Sequence, residues 1–242
     1  MTKYKMKPDL NFVTHPYFNS TSATNVIITN TMKTLSLIFI LATAISLSFA
    51  QDKYTTQMLK NIDAVYQAKT TEEYQSAINA LDRVGNAEKT KWEPFYYSAF
   101  GHLMIATNEK DGAKKDQYLD LSAAALAKAK AVSENESEIV ALDGFIQMIR
   151  VTVDPAARGA QYSGQAMQLY GKAVALNPEN PRALGLMAQM QFGVAKFFNS
   201  PTTEACATAA KSLEKFQTYQ SPNPLTPQWG KSMSEGLVKQ CK

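Results

Sequence analysis

Residues Ala166–Ala188 read AMQLYGKAVALNPENPRALGLMA. Ala166, Tyr170 and Ala173 stand four and three residues apart, a spacing that places them on one face of a helix. Pro178 follows five residues later and stops that helix, and Asn180-Pro181 caps and opens the next one. The stretch therefore encodes the end of one helix, a stop and the start of the next helix.

Working outward, periodicity and caps predict nine helices and no strands. The first spans Tyr54–Ala68, with Met58, Ile62 and Val65 inward. Thr70-Thr71-Glu72-Glu73 has the form of a capping box before Tyr74, Ala77, Ile78 and Leu81. Pro94 opens a third helix carrying Tyr96, Ala99, Phe100 and Leu103. Lys115–Val132 and Ser137–Val153 follow, the latter stopped by Asp154-Pro155. Tyr162–Leu176, Pro181–Phe198, Thr203–Tyr219 and Pro227–Gln240 complete the set, with Thr226 as the N-cap of the last. The fold class is all-α, built of stacked antiparallel helical hairpins.

Shifting the sequence on itself by 44 residues lays Lys128–Val132 on Lys172–Leu176 and Leu142 on Leu186. The pattern around Ala166, Tyr170, Ala173 and Pro178 resembles the junction between consecutive tetratricopeptide repeats (TPRs), which have a period of about 34. The excess falls in Asp154–Gly164, DPAARGAQYSG, read as a long connection between hairpins. The best repeat match covers 162–198, and the chain from residue 51 on is read as one TPR-like domain.

The resemblance implies a curved stack whose leading helices line a concave side. On Pro181–Phe198 it puts Leu184, Met187 and Ala188 in packing positions and Arg182, Gln189 and Phe192 on or near the concave side. The Lys and Asn clamp with which some family members hold peptide C-termini is missing. Its places hold Ala141, Phe145, Gly185 and Gln189. The candidate ligand-binding residues are Arg182, Gln189 and Phe192 on the helix, and Arg158 and Tyr162 in the insertion.

The other informative segment lies near the start. Met32-Lys33 precedes the apolar run Leu35–Leu47, which ends in Ser48-Phe49-Ala50 before Gln51-Asp52-Lys53. A short positive start, an apolar core and small residues before a polar stretch read as a secretory signal peptide over 32–50. The rival reading, an uncleaved anchor, needs roughly 20 apolar residues, and Thr43 and Ser46 interrupt this run. Residues 1–31 lack helical periodicity and are expected to be a disordered tail or to lie upstream of the true start. An exported, periplasmic protein of a Gram-negative envelope is expected, with no membrane insertion of the mature chain.

Residues 1–50 hold four Lys against one Asp, most of the chain's net charge of +4. The remainder is nearly neutral and its charges are interspersed, so the electrostatic footprint of nucleic-acid binding is missing. Only one histidine, His102, follows the leader, which excludes a His-based metal cluster there. No Gly-rich phosphate loop or nucleophile motif occurs. The expectation is a non-enzyme without a cofactor.

Two functions fit. The first is a protein- or peptide-interaction module using the concave side. The second is a carrier of a small molecule or glycan, in a pocket made by the aromatics of Trp92–Phe100. The two cysteines, Cys206 and Cys241, are expected to form a disulfide. Export implies an oxidising compartment, and the midpoint between the two falls in the turn Ser221-Pro222-Asn223-Pro224, which sets both at the open end of the last hairpin.

Overall fold

The structure is a computed structural model that describes residues 53–221 and 223–241. The expectations for residues 1–50 lie outside the described residues.

The described chain is all-α, with nine helices. They are α1 (53–67), α2 (Thr71–Ala87), α3 (Glu93–Asn108), α4 (Gly112–Val132), α5 (Ser137–Val151), α6 (Pro155–Leu176), α7 (Pro181–Phe197), α8 (Thr203–Thr218) and α9 (Lys231–Gln240). Their starts follow from side-chain caps. Thr70 and Glu73 close a complete capping box on α2. Asp111 accepts from Lys114 N at α4. At α7, Asn180 accepts from Arg182 N and Ala183 N, and Pro181 fills the first turn.

Three hairpins, α3–α4, α5–α6 and α7–α8, stack side by side. A recurrent device ties each pair. A buried serine hydroxyl on one helix donates to a backbone carbonyl on the other: Ser122 to Ala99 at 2.8 Å, Ser137 to Ala173 at 2.8 Å and Ser212 to Pro181 at 2.7 Å. Ser137 opens α5 while Ala173 lies in the last turn of α6, so that pair is antiparallel. Ala166, Tyr170 and Ala173 are the buried residues of α6, as their spacing predicts. The Tyr170 ring lies on Gly144, where a Cβ would overlap Tyr170 Cε1, so glycine is what lets α5 and α6 approach here. The 44-residue offset is also spatial. Ser137 and Pro181 open neighbouring helices, and Glu138 bonds Arg182.

The leading helices α3, α5 and α7 form the middle of the stack. Nearly every residue of α3 from Glu93 to Ala106 is buried. A helix apolar all round must be covered on all sides. One hydrophobic cluster runs from Tyr54 through the three hairpins to Leu225. Among the described residues no helix is long and apolar enough to cross a membrane.

Two boundaries differ from expectation. Asp154–Gly164 is not a connecting loop. It forms the first turns of α6, because Asp154 accepts from Ala157 N as an N-cap and Pro155 takes the first helical position. The same dipeptide that stops α5 starts α6. The last helix begins at Lys231 and not at Pro227. Thr226 does not cap it, and its hydroxyl pairs with Ser221 Oγ. Residues 219–221 and 223–230 form an irregular strap, closed by Gly230 with φ of 102°, the left-handed region that favours glycine.

Cys206 and Cys241 are bonded, with Cα atoms 5.7 Å apart, and join α8 to the end of α9 as the hairpin geometry requires. Trp229 lies in the strap before α9. It leaves the hairpin and stacks on Phe100 of α3 and Phe145 of α5.

Candidate functional site

The sequence-predicted residues scatter into separate environments. Arg182 is buried. Its Nε and Nη2 donate to Glu138 Oε2 and Oε1 at 2.8 and 2.6 Å. Burial opposes the charge, but the paired carboxylate outweighs it and holds the guanidinium's pKa above its ordinary value. Arg182 is thus satisfied within the fold and does not wait for a ligand's acidic group. Phe192 is half-buried against Ala188, Ala209 and Leu237, a small cluster shared by α7, α8 and α9. Lys196 lies over its ring. Arg158 points across to α4, where it holds both oxygens of Asp116 at 2.8 Å. Tyr162 is half-buried one turn further along α6.

The aromatics at the start of α3 are packed inside the fold. Tyr96 and Tyr97 are fully buried, and Phe95 and Phe100 nearly so. Burial raises both tyrosine hydroxyls well above their ordinary pKa. Neighbouring rings close the cluster edge to face, Tyr66 on Tyr97 and Phe100, and Trp92 on Tyr96. The strap 219–230 covers what remains. The rings of Trp92–Phe100, expected to line a carrier pocket, pack against the protein's own side chains.

The open site lies elsewhere, between the C-terminal turns of α5, the start of α6 and the C-terminal half of α7. A groove of about 370 Å³ is lined there by Met148, Val151, Gly159, Met190, Val194 and Phe197, among others. Gln189 is the one sequence-predicted residue whose side chain lines it, and its amide donates to Met233 O of α9 at 3.1 Å. The insertion does contribute, by the face opposite to the one expected. Pro155, Ala156, Gly159, Ala160 and Ser163 form a small-residue stripe along the wall, while Arg158 faces α4. That stripe becomes visible once Asp154-Pro155 is read as a helix start.

Two glycines keep the groove open. At Gly159 and Gly193 an added Cβ would meet nothing within 4 Å. At the rim, Phe197 and Phe198 are 73% and 69% exposed, with ring centroids 5.1 Å apart. Together they form an exposed apolar patch beside the groove. Phe198 also borders a smaller pocket of about 290 Å³ that shares Val194 with the first. Lining of this kind, apolar with few polar groups, binds small molecules by shape and desolvation. Among the described residues no group of three His, Cys, Asp or Glu side chains could hold a metal ion.

His102 lies on α3, outside the groove. It is buried and its Nδ1 has no partner. Burial lowers its pKa from the ordinary 6.5, opposed by Asp82. The unfolded chain then binds the proton more readily, so the stability this neutral imidazole contributes is present above pH 6.5 and is lost as pH falls below it. His102→Gln is expected to lose less melting temperature than the wild type between pH 7 and pH 5. Thermal unfolding followed by circular dichroism at the two pH values checks this, and equal losses would exclude His102 as the source.

Comparison with protein-family models and with curated proteins finds no match. Among solved structures the chain is similar to the HusA haemophore from Porphyromonas gingivalis, at 25% sequence identity and a TM-score of 0.70. The likeness covers 78% of this chain and 92% of that one.

Proposed function

We propose that this protein is a non-catalytic, exported carrier that takes a small, largely apolar molecule into the groove between α5, α6 and α7. The observation that carries the reading is the groove itself. It is open, about 370 Å³, apolar, and rimmed by two exposed phenylalanines. Ligand sites run from roughly 300 to 1,000 Å³. A flat molecule too large to enter whole would insert one edge between Met148 and Met190 and lay the rest over Phe197 and Phe198. The similarity to a haemophore makes haem the first cargo to test. The disulfide and the leader-like sequence support export, and the stacked hairpins support the TPR-like reading of the scaffold. The concave interaction module ranks below the carrier because the strap fills the inner face.

Haem titration, followed by its absorption band and by quenching of protein fluorescence, is expected to show saturable binding at micromolar concentration or below. At Gly159 and Gly193 an added Cβ meets nothing within 4 Å, so Gly159→Leu and Gly193→Leu direct a side chain into the groove. Each is expected to weaken binding at least tenfold while leaving the melting temperature within a few degrees. Unchanged affinity in both variants moves the site out of the groove. Failure of both haem and the apolar dye 1-anilinonaphthalene-8-sulfonate to bind overturns the carrier reading.

A further inference from the structure

The second pocket, of about 290 Å³, lies between α6, α7 and the start of α8, and Val194 and Phe198 line both it and the carrier groove. The two spaces adjoin, but their chemistry differs. Among the described residues, Glu204 is the one charged side chain that lines either space. It is exposed at the start of α8, beside the apolar lining of Met167 and buried Ala205. Among the described residues Glu204 forms no ion pair. It is held instead by Gln191, whose Nε2 donates to Glu204 Oε1 at 2.9 Å. A carboxylate only accepts hydrogen bonds, so this contact fixes which end of the amide faces it. That leaves Gln191 Oε1 buried and without a partner, and an unpaired buried acceptor is costly. The pocket thus combines a positioned anion, an unpaired acceptor and an apolar lining, next to an exposed aromatic ring.

We propose that this second pocket is the polar end of the carrier site and takes an ammonium group borne by an otherwise apolar cargo. The proposal rests on the carrier reading and narrows its cargo class. The apolar body of the cargo lies in the groove, its arm passes beside Val194, and the ammonium donates to Glu204 and to Gln191 Oε1. An ammonium brings several donors and no acceptor, which matches two acceptors side by side. Its charge meets a carboxylate that no cation of the protein neutralises. Its alkyl stem covers Met167 and Ala205, as lysine stems cover apolar surface. The Phe198 ring, 69% exposed, offers its face to the same cation. A carboxylate in that place would meet Glu204 as a like charge, so haem binds with its carboxylates turned away from α8.

The test is fluorescence titration of the full-length chain with three dansyl probes that share one ring system. Dansylcadaverine has an amine arm, N-pentyl dansylamide a neutral arm and dansyl aminocaproate a carboxylate arm. An exposed ion pair contributes up to about fivefold in affinity. Amine against carboxylate compares attraction with repulsion, so dansylcadaverine is expected to bind about tenfold more tightly than dansyl aminocaproate, with the neutral probe between them. Glu204→Gln is expected to bring all three within threefold of one another. Glu214→Gln removes the same charge from α8 outside both spaces, and is expected to leave the preference unchanged. The proposal falls if the wild type binds the three probes equally, if Glu204→Gln keeps the preference, or if Glu214→Gln abolishes it as well. In each of these cases the carrier reading stands as long as Gly159→Leu still weakens the probes. Absence of binding by all three probes also overturns the proposal, while the carrier reading is decided separately by haem and 1-anilinonaphthalene-8-sulfonate.

Discussion

Arg182→Ala is expected to lower unfolding free energy by about 3–5 kcal/mol, the cost of leaving a buried charge without its partner. The Arg182 and Glu138 side chains are only 2% and 4% exposed, and two hydrogen bonds join them across α5 and α7. Removing the guanidinium strands the Glu138 carboxylate where water cannot replace it. It also removes the plane that Phe216 and Tyr219 face, with ring centroids 5.9 and 5.8 Å away, and the stem against which Gly230 packs. Both ends of the strap are rooted there. Replacing both partners by apolar residues of similar size, Arg182→Met with Glu138→Leu, is expected to recover most of the loss, since desolvating the pair already offsets much of its attraction. Urea unfolding of the three proteins checks this. A loss below 1 kcal/mol in Arg182→Ala would show that Glu138 finds another partner or water.

Arg182 also marks where sequence reasoning stopped. Its position on the inner side of α7 was legible from the TPR-like register, and a buried guanidinium needs an acid. The acid is Glu138, the residue at the equivalent place one 44-residue unit earlier. Shifting the sequence on itself puts those two in register, but a side chain on a concave face is expected to meet solvent or ligand. What changes this is the strap, whose irregular backbone leaves no periodic trace. Pro227 and Thr226 look like a helix start, yet Trp229 is drawn into the slot between Phe100 and Phe145 and α9 begins only after Gly230.

Helices were readable wherever a cap and a 3.6-residue stripe coincided, as at Thr70, Pro94 and Asn180. The small–aromatic–small stripe of α6 gave its packing face residue by residue. The groove was not readable, because it is assembled from 148–152, 155–163 and 189–198, and no local pattern joins them. One of its walls was hidden by the double meaning of Asp154-Pro155. Exposed Phe197 and Phe198 were legible as apolar residues, but only burial distinguishes a rim from a core.

Reduction of the disulfide, or Cys206→Ser/Cys241→Ser, is expected to cost up to about 4 kcal/mol and to act first on the C-terminal end. In the chain-entropy model, a bond spanning 35 residues removes about that much freedom from the unfolded chain. The folded state explains where the loss falls. Ten-residue α9 buries only Ser234 and Leu237, and an isolated helix of that length is marginal in water. Its other ties include the Ser212–Ser234 hydroxyl pair, the Gln189 bond to Met233 O and the half-buried Met233 and Val238. The α3–α4 and α5–α6 hairpins do not touch the bond and retain their own cores. Hydrogen exchange on the reduced protein is therefore expected to show faster exchange over 219–241 with α3 and α5 still protected. Unfolding by urea with and without reductant gives the size of the effect. Equal stability in the two states, or a loss of protection spread evenly over all hairpins, would refute the local account. Because Gln189 reaches from the proposed carrier groove to α9, the same reduced protein tests whether the groove depends on that end. The lining of α5 and α6 is intact without it, so haem affinity is expected to change by less than threefold.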